Sequence, residues 1–169
     1  MTGIAIRAYR PEDRDLLIEL FRSAVRRVAI RDYTRDQILA WAPDAIDAEA
    51  FGRRRASKPT FIATIEGEPV GFTDLESDGH IDMLFVHADH QSKGVARALL
   101  DHVERLARSR QMPRLYTEAS ITARRVFERH GFRVLAQQTV APGGEALINY
   151  RMEKRLARQP GQAGSPQAG

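Results

Sequence analysis

The sequence predicts an α+β domain, and three observations do so. From Ile81 to Leu106 it writes a strand, a polar loop and a helix: an apolar run to Val86, then His87 to Gly94, then Val95, Leu99, Leu100, Val103 and Leu106 at helical spacing. Ahead of this unit, from Thr60, the period is that of strands, broken by Glu66-Gly67-Glu68-Pro69 and Ser77-Asp78-Gly79. The first third is helical, with Leu16, Leu17, Leu20, Phe21, Val25 and Val28 on one face. At 169 residues the chain is long enough for one domain with a real core, expected over residues 1–156.

Taken in order, Ile4 to Arg7 reads as a first strand. Pro11 sits where a helix can begin, with Glu12 and Asp13 placed to meet the positive end of its dipole, and the helix runs to about Ile30. A short helix follows from Thr34, a suitable N-cap, to Trp41, and Pro43 ends it. A third helical stretch is expected from Asp44 to Ser57. Phe61–Ile65 and Val70–Leu75 form a hairpin, and His80 to Val86 reads as one strand. A helix over Val95–Ser109 ends before Pro113; then come a strand over Leu115–Ala119, a helix over Thr122–His130 and strands over Arg133–Val140 and Ala146–Met152, joined by Pro142-Gly143-Gly144. After Leu156 the composition offers nothing to bury, so residues 157–169 are expected to be a flexible tail.

The chemistry starts at the loop. The first amides of a helix lack intrahelical partners and carry partial positive charge, so a loop that turns its N–H groups inward there binds phosphate. Gly94 lets a ligand come close to the backbone, Ala96 keeps the next turn small and Lys93 adds a cation. Neither G-x-x-x-x-G-K-[ST] nor G-x-G-x-x-G occurs. What occurs is Q-x-x-G-x-A, as Gln91-Ser92-Lys93-Gly94-Val95-Ala96, which resembles the acetyl-CoA pyrophosphate loop of the GNAT N-acetyltransferases. About thirty residues on, Ala119 to Phe132 resembles that family's second signature: Ala123, Glu128, Arg129, Gly131 and Phe132 match, Ser120 stands where Asn is usual, and Phe127 where Tyr is usual. The resemblance extends from about Ile4 to Lys154.

That resemblance implies the GNAT fold, in the order βααβββαβαββ: a mixed, mostly antiparallel sheet with helices on both faces. It implies acetyl-CoA as cosubstrate, with pantetheine between two splayed strands. Carried over residue by residue, the backbone of Leu84, Phe85 and Val86 pairs with pantetheine and offers an amide to the oxyanion. Gln91, Ser92, Lys93, Gly94, Val95, Ala96 and Arg97 hold the pyrophosphate, with Ser120, Ala123, Arg124 and Phe127 opposite. The implied reaction is direct attack of a primary amine in a ternary complex; the alternative is a GNAT-fold acyl-CoA sensor that has lost catalysis.

An alkyl ammonium must lose a proton before it attacks, so a base is sought. Asp82 is one candidate, because a carboxylate in an otherwise apolar strand demands a partner or a function; Glu118 is a second, followed by His80 and His87. Phe127 has no proton to give to the departing thiolate, a role left to water, Tyr116 or Tyr150. The acceptor pocket is expected from the N-terminal helices and the last hairpin: Tyr33, Trp41 and Phe51 place aromatic surface there, and Asn149 lies on the final strand.

Composition bounds the rest. With no cysteine, disulfides, thiolate zinc sites and a cysteine nucleophile are excluded, and no metal is expected. No stretch approaches the roughly 20 apolar residues that cross a bilayer, and the start lacks the pattern of a secretion signal, so a cytoplasmic protein without membrane contact is expected. The net charge of +4 suits a polyanionic cofactor. Only Arg53-Arg54-Arg55 form a basic run and no nucleic-acid motif accompanies it, so a small-molecule amine is the expected partner, with a protein or peptide amine as the other choice and nucleic acid set aside. Monomer and homodimer both stay open.

Overall fold

A computed structural model describes residues 3–157. Ala157 apart, the expected tail lies outside the described residues. Strands β1 (Ile4–Ala8), β2 (Thr60–Ile65), β3 (Glu68–Asp74) and β5 (Leu84–Val86) form one antiparallel sheet in the order β1-β2-β3-β5. Strands β4 (His80–Ile81), β6 (Arg114–Ser120), β8 (Leu147–Arg155) and β7 (Arg133–Val140) form a second, in the order β4-β6-β8-β7, where only β4 and β6 run parallel. This is an α+β arrangement whose strand pairing is mostly antiparallel, divided between two sheets.

One expected strand, His80 to Val86, is two. The break comes from Asp74, whose fully buried carboxylate accepts the N–H groups of Asp82 at 2.8 Å and Met83 at 3.2 Å. Thr73 Oγ1 donates to the Met83 carbonyl at 2.8 Å. Side chains of β3 thus take the main-chain groups that a ladder would use, and the chain changes sheets at Asp82. Asp74 is neutralised by the equally buried Arg55, Nη1 to Oδ2 2.8 Å. A buried carboxylate is costly unless paired and hydrogen-bonded, and this one is both.

Helix α4 (Val95–Ser109) ties the two sheets together. Val95 and Leu99 pack with Ala63, Val70 and Val86 of the first sheet, while Leu100, Val103 and Ala107 pack with Ile81, Leu115 and Met152 of the second. Gly71 on β3 makes the approach possible, since a Cβ there would lie 2.8 Å from Val95 Cγ1. On the opposite face of the first sheet, α1 (Arg14–Arg27), α2 (Arg35–Trp41) and α3 (Ala48–Ala56) bury Leu17, Leu20, Phe21, Val25, Ile38 and Phe51 against Ile62 and Phe72.

The helix ends differ from expectation for local reasons. Pro11–Asp13 is a single 3-10 turn, because Asp13 takes both guanidinium nitrogens of Arg7 at 2.8 Å and the Arg10 N–H at 2.8 Å; α1 starts only at Arg14. Thr34 caps α2, accepting from Gln37 N at 3.2 Å. The third helix begins at Ala48 rather than Asp44, since Asp47 is its cap (Ala50 N, 3.0 Å) and Arg26 holds Ala42 O and Asp44 Oδ1 at 2.8 Å each. Strand β8 runs on to Arg155, because buried Glu153 is met by Arg133 at 2.7 Å and Arg114 at 3.1 Å. Helix α5 (Ile121–Arg129) follows β6 directly.

Candidate active site

Because β5 stays with the first sheet and β6 belongs to the second, a gap opens between them. Inside it lies a cavity of about 230 Å³. Tyr33, Trp41, Phe85 and Phe127 give it aromatic walls, and Asp82, Thr117, Glu118, Ser120 and Asn149 are its polar lining. A narrower space of about 90 Å³ shares Trp41, Leu84, Phe85, Ser120 and Ala123 with it and reaches Gln91 and Ala96. That space in turn shares Val86, Gln91, Ala96 and Val126 with a groove of about 620 Å³ between α4 and α5. The three form one track from the loop at the start of α4 to the aromatic cavity.

The loop end is built from main chain. Ser92 (φ +60°) and Gly94 (φ +82°) are left-handed, which curls residues 92–95 at the helix N-terminus. A Cβ on Gly94 would meet no protein atom within 4 Å, so the space beside it belongs to the groove. Gln91 does not reach outward: its Nε2 donates to the Val86 carbonyl at 2.8 Å and pins the loop to the end of β5. One edge of β5 pairs with β3, and His87 N–H donates to Val70 O at 2.8 Å on that same side. Alternation then turns the main-chain groups of Leu84 and Val86 toward the gap. An open strand edge beside curled helix-start amides fits an extended chain ending in phosphates, which is the shape of acetyl-CoA.

The cavity end is built from side chains, and its two carboxylates differ. Asp82 Oδ2 lies 3.3 Å from Arg55 Nη2 and 3.4 Å from Lys58 Nζ. Burial pushes its carboxyl up, but Lys58 and Arg55 outweigh that and hold it below the usual range. Glu118 Oε2 instead meets His80 Nε2 at 2.5 Å, and the other ring nitrogen of His80 lies 2.8 Å from Glu76 Oε1. The Asn149 carboxamide lines the cavity with its Oδ1 enclosed and unpartnered among the described residues.

Of the residues expected to act on the acceptor, Tyr33, Trp41 and Asn149 come together in this cavity with Asp82 and Glu118. The Tyr33 hydroxyl is already occupied: it donates to Ile148 O at 2.7 Å and accepts Ile121 N–H at 2.8 Å, tying β8 to the start of α5. Phe51 is core, edge-on to Phe72 with ring centroids 6.4 Å apart. Tyr150 does not line the cavity; the Arg124 guanidinium stacks 4.6 Å over its ring. Tyr116 bonds Asp78 at the far end of β6. His87 Nδ1 accepts Asp89 N–H in the loop turn, 3.1 Å away.

Along the track, Leu84, Phe85, Val86, Gln91, Ser92, Gly94, Val95, Ala96, Arg97, Ser120, Ala123 and Phe127 all contribute lining. Lys93 and Arg124 do not; Arg124 pairs with Glu128 at 2.6 Å instead. Ser120 caps α5, its Oγ accepting Ala123 N–H at 3.0 Å. Sequence reasoning missed the Arg55–Asp74 pair, although the signal used for Asp82, a carboxylate in an apolar strand, marks Asp74 equally.

A family model described as an acetyltransferase (GNAT) domain matches residues 29–154. YafP of Escherichia coli K12, named as an uncharacterized N-acetyltransferase, is 38% identical over 152 residues, covering 90% of this chain and 96% of that one. The crystal structure of a GCN5-related N-acetyltransferase from Rhodopseudomonas palustris, also described as aminotransferase class-II, is 37% identical with a TM-score of 0.88, over 92% of this chain and 98% of its own. PaiA N-acetyltransferase of Thermoplasma acidophilum, solved in complex with coenzyme A, has a TM-score of 0.73 at 17% identity, covering 91% of this chain and 99% of its own, and shares the fold.

Proposed function

The chain belongs to the GNAT acetyltransferase family, and on that premise we propose that it moves the acetyl group of acetyl-CoA to the primary amine of a small molecule, with both bound together. The observation that carries this reading is the line of three adjoining spaces, with the curled loop at one end and Glu118 in an aromatic cavity at the other.

Acetyl-CoA supplies the activated thioester and a thiol leaving group. The amides from Ser92 to Ala96 bind its pyrophosphate at the positive end of α4, with Arg97 adding a cation. The outer edge of β5, through Leu84 and the Val86 N–H, aligns the pantetheine arm and offers an N–H where charge grows on the carbonyl oxygen. Trp41, Phe85 and Tyr33 exclude water around the acceptor, and Asn149 orients it. Glu118 accepts the proton of the attacking amine. Phe127, 2% exposed, packs beside the thioester and gives no proton; a thiol with pKa about 8.5, cysteine being the guide, leaves without an acid.

The same Phe127 favours the second reading, an acyl-CoA sensor. Calorimetry with acetyl-CoA and a CoA-release assay over phenethylamine, spermidine and a lysine peptide separate them. Binding with fastest release on phenethylamine is the expected result. Binding with no release on any amine makes the protein a sensor, and no binding removes both readings.

A further inference from the structure

We propose that Glu118, His80 and Glu76 form a proton relay from the acceptor cavity to solvent, with His80 and Glu76 as positioning residues that act through Glu118. This rests on the reading that the cavity deprotonates an amine. Of the two cavity carboxylates, Asp82 is paired with Arg55 and Lys58, and two cations beside it weaken it as a base. Glu118 faces an imidazole, which has one nitrogen to receive a proton and another to release it. Both contacts are short, 2.5 Å to Glu118 and 2.8 Å to Glu76. His80 is the enclosed member of the line, its side chain 17% exposed between Glu118 at 40%, at the cavity, and Glu76 at 37% on the other side.

The backbone holds this line rigid. The two-residue strand β4 pairs in parallel with β6, His80 opposite Tyr116, which sets His80 beside Glu118. Glu76 N–H donates to His80 O at 2.8 Å, Gly79 N–H to Glu76 O at 3.0 Å, and His80 N–H to Asp78 Oδ1 at 3.1 Å. The imidazole lies 4.8 Å from the Tyr116 ring, and the Tyr116 hydroxyl is tied to Asp78. Lys58 Nζ fixes the Glu76 carboxylate from behind at 3.1 Å.

The proton balance is simple. The acceptor ammonium loses one N–H proton to Glu118, which passes it to His80 Nε2. His80 releases its Nδ1 proton to Glu76, and water removes it there. No other bond changes in the relay. It works only from neutral imidazole, since imidazolium has no lone pair. The charged groups facing His80 are Glu76, Glu118 and Asp78, with Tyr116 against its ring, Lys58 behind Glu76 and Arg114 over Tyr116. Burial pushes the imidazole down, but the bonds to Glu118 and Glu76 outweigh it and raise it above 6.5. Activity therefore climbs with pH through that raised value.

The test is the pH profile of kcat/KM for phenethylamine in wild type, His80→Gln and Glu76→Gln, with melting temperature and acetyl-CoA affinity measured alongside. Glu76→Gln removes one group that favours imidazolium, so the acid limb moves about one pH unit lower or more. His80→Gln removes that limb and lowers kcat about a hundredfold, the lower end of acid–base contributions. Acetyl-CoA affinity stays at the wild-type level in both. A limb unmoved in Glu76→Gln, or a wild-type profile in His80→Gln, overturns the relay. Failure of every amine to release CoA in the wild type overturns the proposed function instead.

Discussion

The loop end and the cavity end of the track are built in opposite ways. The loop end centres on one stretch, Leu84 to Leu100, with α5 across the groove, and offers mainly main-chain groups there. The cavity end draws side chains from Tyr33 and Trp41, from residues 82–85 and 117–127, and from residues 140–149. Main-chain recognition needs a turn, a glycine and a helix start, so under the proposed function the loop end reads the part of a ligand that never varies. Side-chain recognition depends on what each position carries, so under the same proposal the cavity end selects the acceptor and does the proton chemistry.

The largest effect should divide the cavity's own carboxylates. Glu118→Gln is expected to lower kcat/KM by about 10²–10⁴, the range of general base catalysis. Asp82→Asn should cost less than about tenfold, below that range, while lowering the melting temperature because Arg55 loses a partner. Equal kinetic losses would erase the distinction. The pH dependence sharpens it. The carboxyl of Asp82 is held below its ordinary 3.8, so its contribution is present above that value and fades as pH falls below it. Urea titrations should therefore show wild type and Asp82→Asn converging in strong acid.

Next comes the loop end. Gly94→Asp puts a side chain into the groove at φ +82°, with a left-handed cost of about 1–2 kcal/mol and a carboxylate facing phosphate. Acetyl-CoA affinity is expected to fall about 10–100-fold through like-charge repulsion, while the strain shows as a lower melting temperature. Unchanged affinity in the folded variant, measured by calorimetry, would take the loop out of cofactor binding.

Asn149→Leu tests the cavity by itself. Losing one hydrogen bond of about 0.5–1.5 kcal/mol should raise KM for the acceptor several-fold and leave acetyl-CoA affinity alone. A parallel loss of acetyl-CoA affinity would show that the two ends are not separate. The smallest kinetic effect is expected at their seam. Phe127 is edge-on to Phe132, with centroids 5.0 Å apart, in a cluster of buried apolar residues. Phe127→Tyr should change turnover by less than about tenfold, well under the general-acid range, and destabilise by about 1–3 kcal/mol as an unsatisfied buried group. An inactive wild type that this substitution switches on would make the protein a sensor.

What the sequence by itself determined was local. The helix Val95–Ser109 and the strand Arg133–Val140 stand at their expected bounds, because hydrophobic period and the flanking Gly and Pro act over a few residues. The loop at Gly94 was legible for the same reason: its left-handed turn and the helix start after it lie within one short stretch. Only the tertiary structure decided which side chains share a space. Asp74 splits the strand at Asp82 from a neighbouring strand, and His80 meets Glu118 across 38 residues through the parallel pairing of β4 with β6. It also turned Gln91 inward to Val86 and left Lys93, Arg124 and Tyr150 outside the track. A strand fixes only that successive side chains alternate; which face meets a cavity, and which charge waits there, depends on neighbours brought in from far along the chain.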